Sequence, residues 1–422
     1  MRKPLVVMKF GGTSVGDAAA IRNVVAIVSA AAHSCELVVV VSAMSGVTNR
    51  LLEAGTQAQA GNRDRVEAIF RDLRARHRAA IGELIRSVPL RGRVNLQVEQ
   101  MFEEGERLCD STRRSRELTP RTRDAISGLG ERMSAPIVAA ALNERGLVSQ
   151  SIEATVLIRT DSGHGSAEPE MAATCKLCQA RLRPLLEEGI VPVVTGFIGS
   201  SEDGVLTTLG RGGSDYSATI LGAALAADEV TIWTDVDGLM TADPRLVPEA
   251  ATIGEISYAE AAELARSGAK VLHPKTLRHV DELGIPIRIR NTFSPEGRGT
   301  QITPCGSRSA ATIKGLSAVS EIPDSSLARV TAVGMNLGDP AVARRMLAAL
   351  AVRNVNPISV SPAVSDSSFS FAVVKSDVQR ALQALHNEFQ LGALDGTASA
   401  GRIPPASETW FYAPAEETAS AD

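Results

Sequence analysis

The 422-residue chain is nearly balanced in charge, with 44 Lys and Arg against 48 Asp and Glu, and aromatic residues make up only 3%. This balance argues against nucleic acid as the main partner, and no apolar run reaches the roughly 18 residues of a membrane span. The length predicts two or three domains with aliphatic, Ala-rich cores. The apolar run near the start is short and ends at Lys9, so we expect a strand, no signal peptide and a cytoplasmic location.

The chain begins with a predicted buried strand, a glycine turn and a helix. The strand covers residues 5–10, the turn residues 11–16 and the helix residues 17–32. In α/β folds this order presents backbone N–H groups to phosphate. The turn is not a Walker A loop, because Asp17 stands where that motif requires Lys. Lys9 is either a snorkelling surface lysine or a phosphate contact, and its place beside the turn favours the contact.

Further apolar runs predict a sheet. Strands are expected at residues 37–41, 148–158, 190–198, 229–233 and 285–290, and helices at residues 50–125, 133–145, 170–188, 217–226 and 255–267. Continuous apolar strands that alternate with helices indicate an α/β fold with a mostly parallel sheet covered by helices on both faces. Residues 297–300 and 304–309 are expected to form a linker.

Cys175 and Cys178 form a CxxC within the helix predicted over residues 170–188. No second pair and no nearby His cluster completes a zinc site. Packing thiols are therefore favoured over a redox or metal role. The five cysteines, an odd number, fit a reducing cytosol.

The densest polar stretch covers residues 207–218. Its glycines permit positive φ and close approach of the backbone to a ligand. Arg211 offers a planar fork for a carboxylate or phosphate, and Asp215 could position a charged reacting group. The alternative is a glycine-rich turn in which Ser214 or Asp215 only caps the next helix.

Two further features remain ambiguous from the residues alone. Residues 234–245 follow a strand and are dense in Asp, Thr and Gly. Their acids suit Mg²⁺ with phosphate oxygens, but Asx-turns are the alternative. Glu131 opens a helix, where a carboxylate suits the helix dipole.

A smaller α+β unit is predicted near the C-terminus. Strands at residues 327–333, 357–361 and 369–374 and helices at residues 340–353 and 377–389 give a βαββα order, close to the split βαβ pattern. Additional strands are expected at most at residues 313–320 and 408–413. Residues 392–422 are rich in Ala, Gly, Ser, Pro and Glu and are expected to form a flexible tail.

Four motifs occur in one order along the chain. They are Lys-Phe-Gly-Gly-Thr-Ser at residues 9–14, Gly-Arg-Gly-Gly-Ser-Asp at residues 210–215, Thr-Asp-Val-Asp-Gly at residues 234–238 and Gly-Ala-Lys-Val-Leu-His-Pro at residues 268–274. Together they resemble aspartate kinase, within the wider amino acid kinase family. The resemblance implies an amino acid kinase catalytic domain over residues 1–305 and an ACT-like regulatory or dimerisation domain (βαββαβ) over residues 313–391.

The resemblance implies ATP-dependent phosphorylation of the L-aspartate side chain to 4-phospho-L-aspartate, the first step toward lysine, threonine and methionine, with ATP and Mg²⁺. Lys9 and Asp215 would be catalytic. The aspartate pocket would contain Ser42, Thr48, Glu131, Phe197, Arg211 and Ser214. The nucleotide would be held by Gly11, Gly12, Gly212, Gly213, Thr234, Asp235, Met240, Arg245 and Lys270, and no residue is assigned as a metal ligand. Met240 and Ser267 stand where relatives usually carry aromatic residues.

The resemblance further implies a homodimer or higher even oligomer, with lysine or threonine as the candidate effector. Feedback is expected to be weak or absent, because only one ACT copy is complete. Two alternatives remain open: a kinase of this fold for another amino acid or pathway, and a catalytically silent amino-acid sensor. The pair of Glu131 and Arg211 suits an α-amino acid, whereas retention of Lys9, Asp215 and Lys270 argues against a silent protein.

Overall fold

The computed structural model describes residues 2–268, 272–306, 313–319, 326–362 and 367–393. The chain forms two compact units, and neither is continuous in sequence. The first comprises Met1–Asp235 and Lys275–Gly297, and the second comprises Val236–Pro274 and Arg298–Asp422. No helix in the described ranges combines the length and the apolarity that crossing a membrane requires.

The strands are β1 (Leu5–Phe10), β2 (Glu36–Val41), β3 (Ser149–Ile152), β4 (Val191–Thr195), β5 (Ile198–Ser200), β6 (Leu206–Thr208), β7 (Glu229–Thr234), β8 (Glu255–Ser257), β9 (Ile287–Asn291), β10 (Thr300–Thr303), β11 (Ile313–Val319), β12 (Leu327–Gly334), β13 (Ser359–Pro362) and β14 (Ser368–Val374). The helices are α1 (Ala18–Ala32), α2 (Val47–Ala60), α3 (Arg63–Leu84), α4 (Val88–Ser115), α5 (Pro120–Ser127), α6 (Leu129–Glu144), α7 (Met171–Glu187), α8 (Gly213–Leu225), α9 (Tyr258–Arg266), α10 (Arg278–Asp281), α11 (Pro340–Val352) and α12 (Val378–Glu388).

The first unit is built on a parallel sheet in the order β3-β4-β2-β1-β7-β9. Every residue of β1 is buried, as is β2 from Leu37 onward, so both faces of these central strands are covered. Lys9 lies opposite Val40 on one side and Ile232 on the other. The predicted α/β architecture with a mostly parallel sheet is confirmed.

Helix α1 shows why the first glycine turn ends where it does. Asp17 caps the helix, since its carboxylate accepts the backbone N–H of Ala20 at 2.9 Å. Ile21, Val24 and Val28 then recur at helical spacing and are buried. The residue that excludes a Walker A loop therefore serves as a helix cap.

The polar segment 50–125 forms long helices, as predicted. Phe70 and Phe102 pack edge to face between α3 and α4 with ring centroids 6.4 Å apart, while exposed charged side chains such as Arg63 and Glu67 pair at 2.6 Å. Gly105 is required at this contact, because a Cβ there would lie 2.8 Å from the Phe70 ring. The segment is therefore a packed helical subdomain with a solvated outer face.

The second unit contains an antiparallel sheet in the order β11-β12-β14-β13, with α11 and α12 in the same core. The predicted βαββα order over residues 327–389 is confirmed, and β11 adds a full strand paired with β12. The core also includes Val247 from the segment Val236–Pro274. The strand considered at residues 408–413, and the tail from residue 394 onward, lie outside the described residues.

Two predicted strands of the first unit are shorter than expected. The run 190–198 divides into β4 and β5, because Phe197 adopts a positive φ of 70° that interrupts the extended backbone. The run 148–158 keeps only β3, and Ala154 begins a 3₁₀ turn in which its N–H donates to Thr195 Oγ1 at 2.8 Å. In both places a local turn replaces strand.

Two predictions near the second unit are partly wrong. Residues 255–257 form β8 rather than the start of a helix, because Ser257 caps α9 in a capping box with Glu260. The residues between the two expected linker segments, 297–300 and 304–309, form β10, which begins at Thr300 and in which Gln301 pairs with Glu255 of β8.

Candidate active site

A cavity of about 260 Å³ opens in the first unit at the carboxyl ends of β1, β2 and β4. These strands are parallel, so the residues that end or follow them meet at one edge of the sheet. The lining residues are Lys9, Ser42, Thr48, Glu131, Phe197, Gly210, Arg211, Gly212, Gly213, Ser214 and Asp215. The structure thus brings all eight residues expected for catalysis and for aspartate into one cavity, together with Gly212 and Gly213.

Lys9 and Asp215 form an ion pair at the base of this cavity. The Nζ–Oδ1 distance is 2.6 Å, and the side chains are only 9% and 15% exposed. Lys9 is the charged residue of an otherwise apolar β1, and Asp215 lies in the first turn of α8. A charge pair withdrawn from water costs desolvation free energy unless its geometry is good, so the lysine ammonium is held in place by its partner.

The glycine turn before α8 packs directly on the backbone after β4. A Cβ on Gly213 would lie 2.6 Å from the Phe197 ring, and one on Gly196 would lie 2.7 Å from Ser214 Cβ. Phe197 keeps its positive φ of 70° while its N–H donates to Ser217 Oγ at 2.9 Å. Strained backbone of this kind is typical of functional sites.

Helix α8 begins at Gly213, four residues earlier than predicted. Its N-cap is Gly212, in a left-handed conformation and without a side-chain capping bond. Ser214 and Asp215 therefore do not cap the helix, and the alternative that reduced them to caps is wrong. Their side chains line the cavity instead.

Glu131 is buried in the first turn of α6, with 3% of its surface exposed. Burial raises the pKa of this carboxyl to about 7, and the nearby charge of Lys9 opposes the rise. One oxygen, Oε2, has no hydrogen-bond partner among the described residues. A buried, unpartnered carboxylate oxygen in a cavity suits a positively charged ligand group.

Arg211 contrasts with the buried Glu131. It is exposed at the mouth of the cavity, and within the described ranges its guanidinium makes no hydrogen bond or ion pair. Its planar fork is therefore available for a carboxylate. Glu131 and Arg211 together can recognise the ammonium and carboxylate groups of an amino acid.

The residues expected to bind nucleotide are divided between the units. Gly11, Gly12, Thr234 and Asp235 belong to the first unit, and Met240 and Arg245 belong to the second. Thr234 donates to Asp235 Oδ1 at 3.2 Å. In the second unit, Thr252 contacts the Met240 sulfur at 3.7 Å and Arg245 pairs with Asp243 at 2.9 Å. Lys270 lies outside the described residues.

Asp124 is a buried organising residue that gave no signal in the sequence. Its carboxylate accepts hydrogen bonds from His164 Nδ1 at 2.8 Å, Thr208 Oγ1 at 2.7 Å and the Gly165 N–H at 3.0 Å. Gly210 packs closely on the loop that contains Gly165, since a Cβ on Gly210 would lie 3.1 Å from the Gly165 carbonyl. Asp124 thereby fixes the loop that supports the cavity's glycine turn, and His164 is a loop residue with a structural partner.

The CxxC cysteines take no part in this cavity. Cys178 is buried in α7, Cys175 is half-buried, and both are free thiols. Burial raises the pKa of Cys178 to about 12, which keeps this thiol protonated and unreactive. Their arrangement supports packing as their role.

Sequence and structure comparisons agree with this geometry. Residues 4–291 match the amino acid kinase family, and residues 330–389 match an ACT domain. Lysine-sensitive aspartokinase 3 of Escherichia coli is 39% identical over 299 residues, which is 71% of this chain and 64% of that protein. The chain therefore spans less than two thirds of that relative.

Two solved structures of E. coli aspartokinase III are similar to the chain at 28% identity. The complex with aspartate and ADP (R-state) has a TM-score of 0.80 and covers 92% of this chain and 100% of that one. The complex with lysine and aspartate (T-state) has a TM-score of 0.77 and covers 91% and 99%. The predicted resemblance to aspartate kinases is confirmed. On the match over residues 4–291 and the parallel-sheet fold that carries the cavity, the chain belongs to the amino acid kinase family.

Proposed function

We propose that this protein is an aspartate kinase, which transfers the γ-phosphoryl group of ATP to the side-chain carboxylate of L-aspartate. The observation that carries the proposal is the buried Lys9–Asp215 ion pair in a cavity that also holds Glu131 and Arg211. The similarity to aspartokinases, one of them solved with aspartate and ADP, supports the same substrates here.

The cavity suits a small acidic amino acid. Its volume of about 260 Å³ lies below the range of drug-sized pockets. Glu131 would bind the α-ammonium group through its unpartnered oxygen, and Arg211 would bind the α-carboxylate. Ser42, Thr48, Phe197 and Ser214 would shape the remaining wall and direct the side-chain carboxylate of the substrate toward Lys9.

The catalytic task in this reaction is positioning and charge neutralisation. A carboxylate nucleophile needs no general base, and phosphoryl transfer gains most from groups that stabilise charge on the transferring oxygens. Lys9 would supply that charge, and Asp215 would orient the ammonium group through the 2.6 Å contact. The first turn of α8 adds backbone N–H groups that have no partner within the helix.

The residues present fit ATP as the phosphoryl donor. Gly11 and Gly12 form a turn that packs closely on the loop after β2, since a Cβ on Gly12 would lie 3.1 Å from the Ala43 carbonyl. Backbone without side chains can also come close to a phosphate. Thr234, Asp235, Met240, Arg245 and Lys270 are proposed as further nucleotide contacts, with Gly212 and Gly213 at the phosphates. Mg²⁺ would come with ATP, because it binds phosphate oxygens with few protein carboxylates.

A kinase of this fold for another amino acid is the second candidate, and one assay separates the two. The purified chain is incubated with MgATP and a panel of amino acids that includes aspartate, glutamate and N-acetylglutamate. ADP release is measured by enzymatic coupling and the acyl phosphate is trapped with hydroxylamine. Aspartate-dependent ADP release with a matching hydroxamate supports the proposal. Activity confined to another amino acid, or none with any, contradicts it.

The assembly and the effector of the ACT domain are a further part of the proposal. We propose a homodimer or higher even oligomer joined partly through residues 327–391, since β13 is an edge strand of the described sheet and carries exposed Val360. Lysine or threonine is the proposed effector, because E. coli aspartokinase III was solved with lysine. We also place the enzyme in the cytoplasm and in the route toward lysine, threonine and methionine.

A further inference from the structure

Arg76 lies on α3, in the helical subdomain, but its side chain reaches two loops at the sheet edge. Its Nη1 donates to the carbonyl of Ser45 at 2.6 Å. Its Nη2 donates to the carbonyl of Gly16 at 2.7 Å. Gly16 ends the glycine turn after β1, and Ser45 lies in the loop after β2 that leads to Thr48 in α2. One guanidinium therefore joins two loops that adjoin the cavity.

These two loops are already in backbone contact. Ser42 N–H donates to the Phe10 carbonyl at 3.1 Å, and Ser45 N–H donates to the Gly12 carbonyl at 3.0 Å. The hydrogen bonds set the relative register of the loops where each leaves the sheet. Arg76 adds a side-chain connection between the carbonyls of Ser45 and Gly16.

The electrostatics explain why an arginine suits this position. The carbonyl oxygens of Gly16 and Ser45 both accept from one guanidinium group. A planar guanidinium can satisfy both with two N–H groups held at a fixed angle. An ammonium group, as in lysine, has no such rigid fork.

Neighbouring arginines on the same helix behave differently. Arg74 pairs with Glu99 at 2.8 Å, and Arg78 pairs with the other oxygen of Glu99 at 2.9 Å. Within the described residues Arg76 contacts no carboxylate, and both of its hydrogen bonds go to backbone carbonyls. Its role is therefore distinct from the ordinary surface ion pairs of α3, and Arg78 provides a matched control.

We propose that Arg76 is a positioning residue for the kinase reaction: it holds the glycine turn 11–16, which would contact the phosphates of ATP, in register with the loop 42–48, which would contact aspartate. This inference rests on the proposed function and extends it. Arg76 acts through the two backbone carbonyls and touches neither substrate. Loosening this connection misaligns donor and acceptor, to which phosphoryl transfer is sensitive.

The test compares Arg76→Ala, Arg76→Lys and the control Arg78→Ala. In Arg76→Ala we expect kcat/KM to fall about tenfold to a hundredfold, with a Tm close to that of Arg78→Ala. Arg76→Lys should recover only part of the loss. Added guanidinium ion should raise the activity of Arg76→Ala and leave Arg78→Ala unchanged. The proposal is overturned if Arg76→Ala has wild-type kinetics. It is also overturned if the loss of kcat/KM accompanies a lowered Tm and added guanidinium ion does not restore activity.

Hydrogen exchange gives a readout that does not depend on the substrate. The backbone amides of Gly16 and Ser45 should exchange faster in Arg76→Ala than in Arg78→Ala. Because this measurement needs no turnover, faster exchange supports the positioning role even if the wild-type enzyme phosphorylates a different amino acid. Unchanged exchange overturns it even in an active aspartate kinase.

Discussion

The hydroxyl of Thr241 lies 3.0 Å from Nε2 of His386 in the buried interior of the second unit. Thr241 follows Met240 in the loop expected to contact nucleotide, and His386 belongs to α12 of the ACT domain. The backbone of Thr241 is also fully used, since its N–H donates to Ala251 at 2.8 Å and its carbonyl accepts from Leu316 at 2.7 Å. This loop is therefore tied directly to the ACT core.

We expect Thr241→Val to lower the free energy of unfolding of the second unit by about 1–3 kcal/mol, because it leaves His386 without this partner and the Ala251 N–H, which donates to Thr241 Oγ1 at 3.0 Å, without its acceptor. The double variant with His386→Leu should cost less than the sum of the two single changes. Urea unfolding of all three variants measures this coupling. Thr252→Val is the control, since among the described residues its hydroxyl contacts a sulfur alone, at 3.7 Å. Additive effects would show that the pair is not coupled.

Burial also lowers the pKa of His386, although Glu249 opposes the shift. Since the native state disfavours the protonated ring, this stability is present above the unfolded pKa of about 6.5 and is lost as the pH falls below it. Wild type should therefore lose stability more steeply than His386→Leu between pH 7 and pH 5.5. Equal slopes in urea unfolding at these pH values would contradict this expectation.

Lys9→Ala should reduce kcat by a factor of about 10²–10³, because it removes one charged donor from the transferring phosphoryl group. Aspartate should still bind, since Glu131 and Arg211 remain. Steady-state kinetics and aspartate binding by calorimetry measure the two effects, and the exposed Lys3→Ala serves as control. Wild-type turnover in Lys9→Ala would refute the role assigned to this residue.

Arg211→Lys should chiefly raise the KM for aspartate, by roughly tenfold, because lysine keeps the charge but loses the two-pronged contact with a carboxylate. The KM for ATP should change little. Both constants come from initial rates with each substrate varied in turn. A raised KM for ATP with an unchanged KM for aspartate would place Arg211 at the nucleotide instead.

Glu131 predicts a pH dependence of aspartate use. Its pKa of about 7 means that the carboxylate needed for the substrate ammonium forms as the pH rises through 7. The kcat/KM for aspartate should therefore increase with pH up to about 8 and then level off. Glu131→Gln should have a low kcat/KM that does not increase over this pH range. If the variant shows the same increase as wild type, another group is responsible for it.

The raised pKa of Glu131 makes stability fall as the pH rises, whereas the kcat/KM for aspartate increases. The folded protein retains a proton that the unfolded chain releases above its ordinary pKa of 4.5, so stability falls as the pH rises from 4.5 through 7. At about 1.4 kcal/mol per unit this amounts to about 3 kcal/mol. Glu131→Gln should consequently be more stable than wild type at pH 8 in urea unfolding. No gain there would show that burial of this charge is not costly.

The exposed edge of the ACT sheet predicts how chains associate. Ile358 and Val360 are 58% and 42% exposed at β13. Val360→Lys should weaken the proposed homodimer in light scattering, whereas Lys375→Ala, away from this strand, should not. If wild type is a monomer at micromolar concentration, the proposed association through the ACT sheet is excluded.

Feedback inhibition is a separate prediction. Titration of the activity with lysine and threonine should show weak or no inhibition, and strong inhibition would refute that expectation.

The sequence was most informative where local chemistry repeats a known pattern. The buried strand with Lys9, the glycine turns and the βαββα order of residues 327–389 were all predictable, because backbone propensity and apolar periodicity act over short distances. Features that depend on packing between distant residues were not predicted, because these signals act only over short distances. The run 190–198 is apolar throughout, but its division at Phe197 depends on packing against the glycine turn before α8.

The resemblance to the family, the parallel sheet and the residues that gather at its carboxyl edge could all be inferred from the order of the residues. The burial and raised pKa of Glu131, the hydrogen bonds of Asp124 to the supporting loop and the contact of Arg76 with two loops became visible only in the folded chain. Burial and hydrogen bonding between residues tens of positions apart leave no periodic trace along the chain. They arise only when the fold brings those groups out of water and into contact.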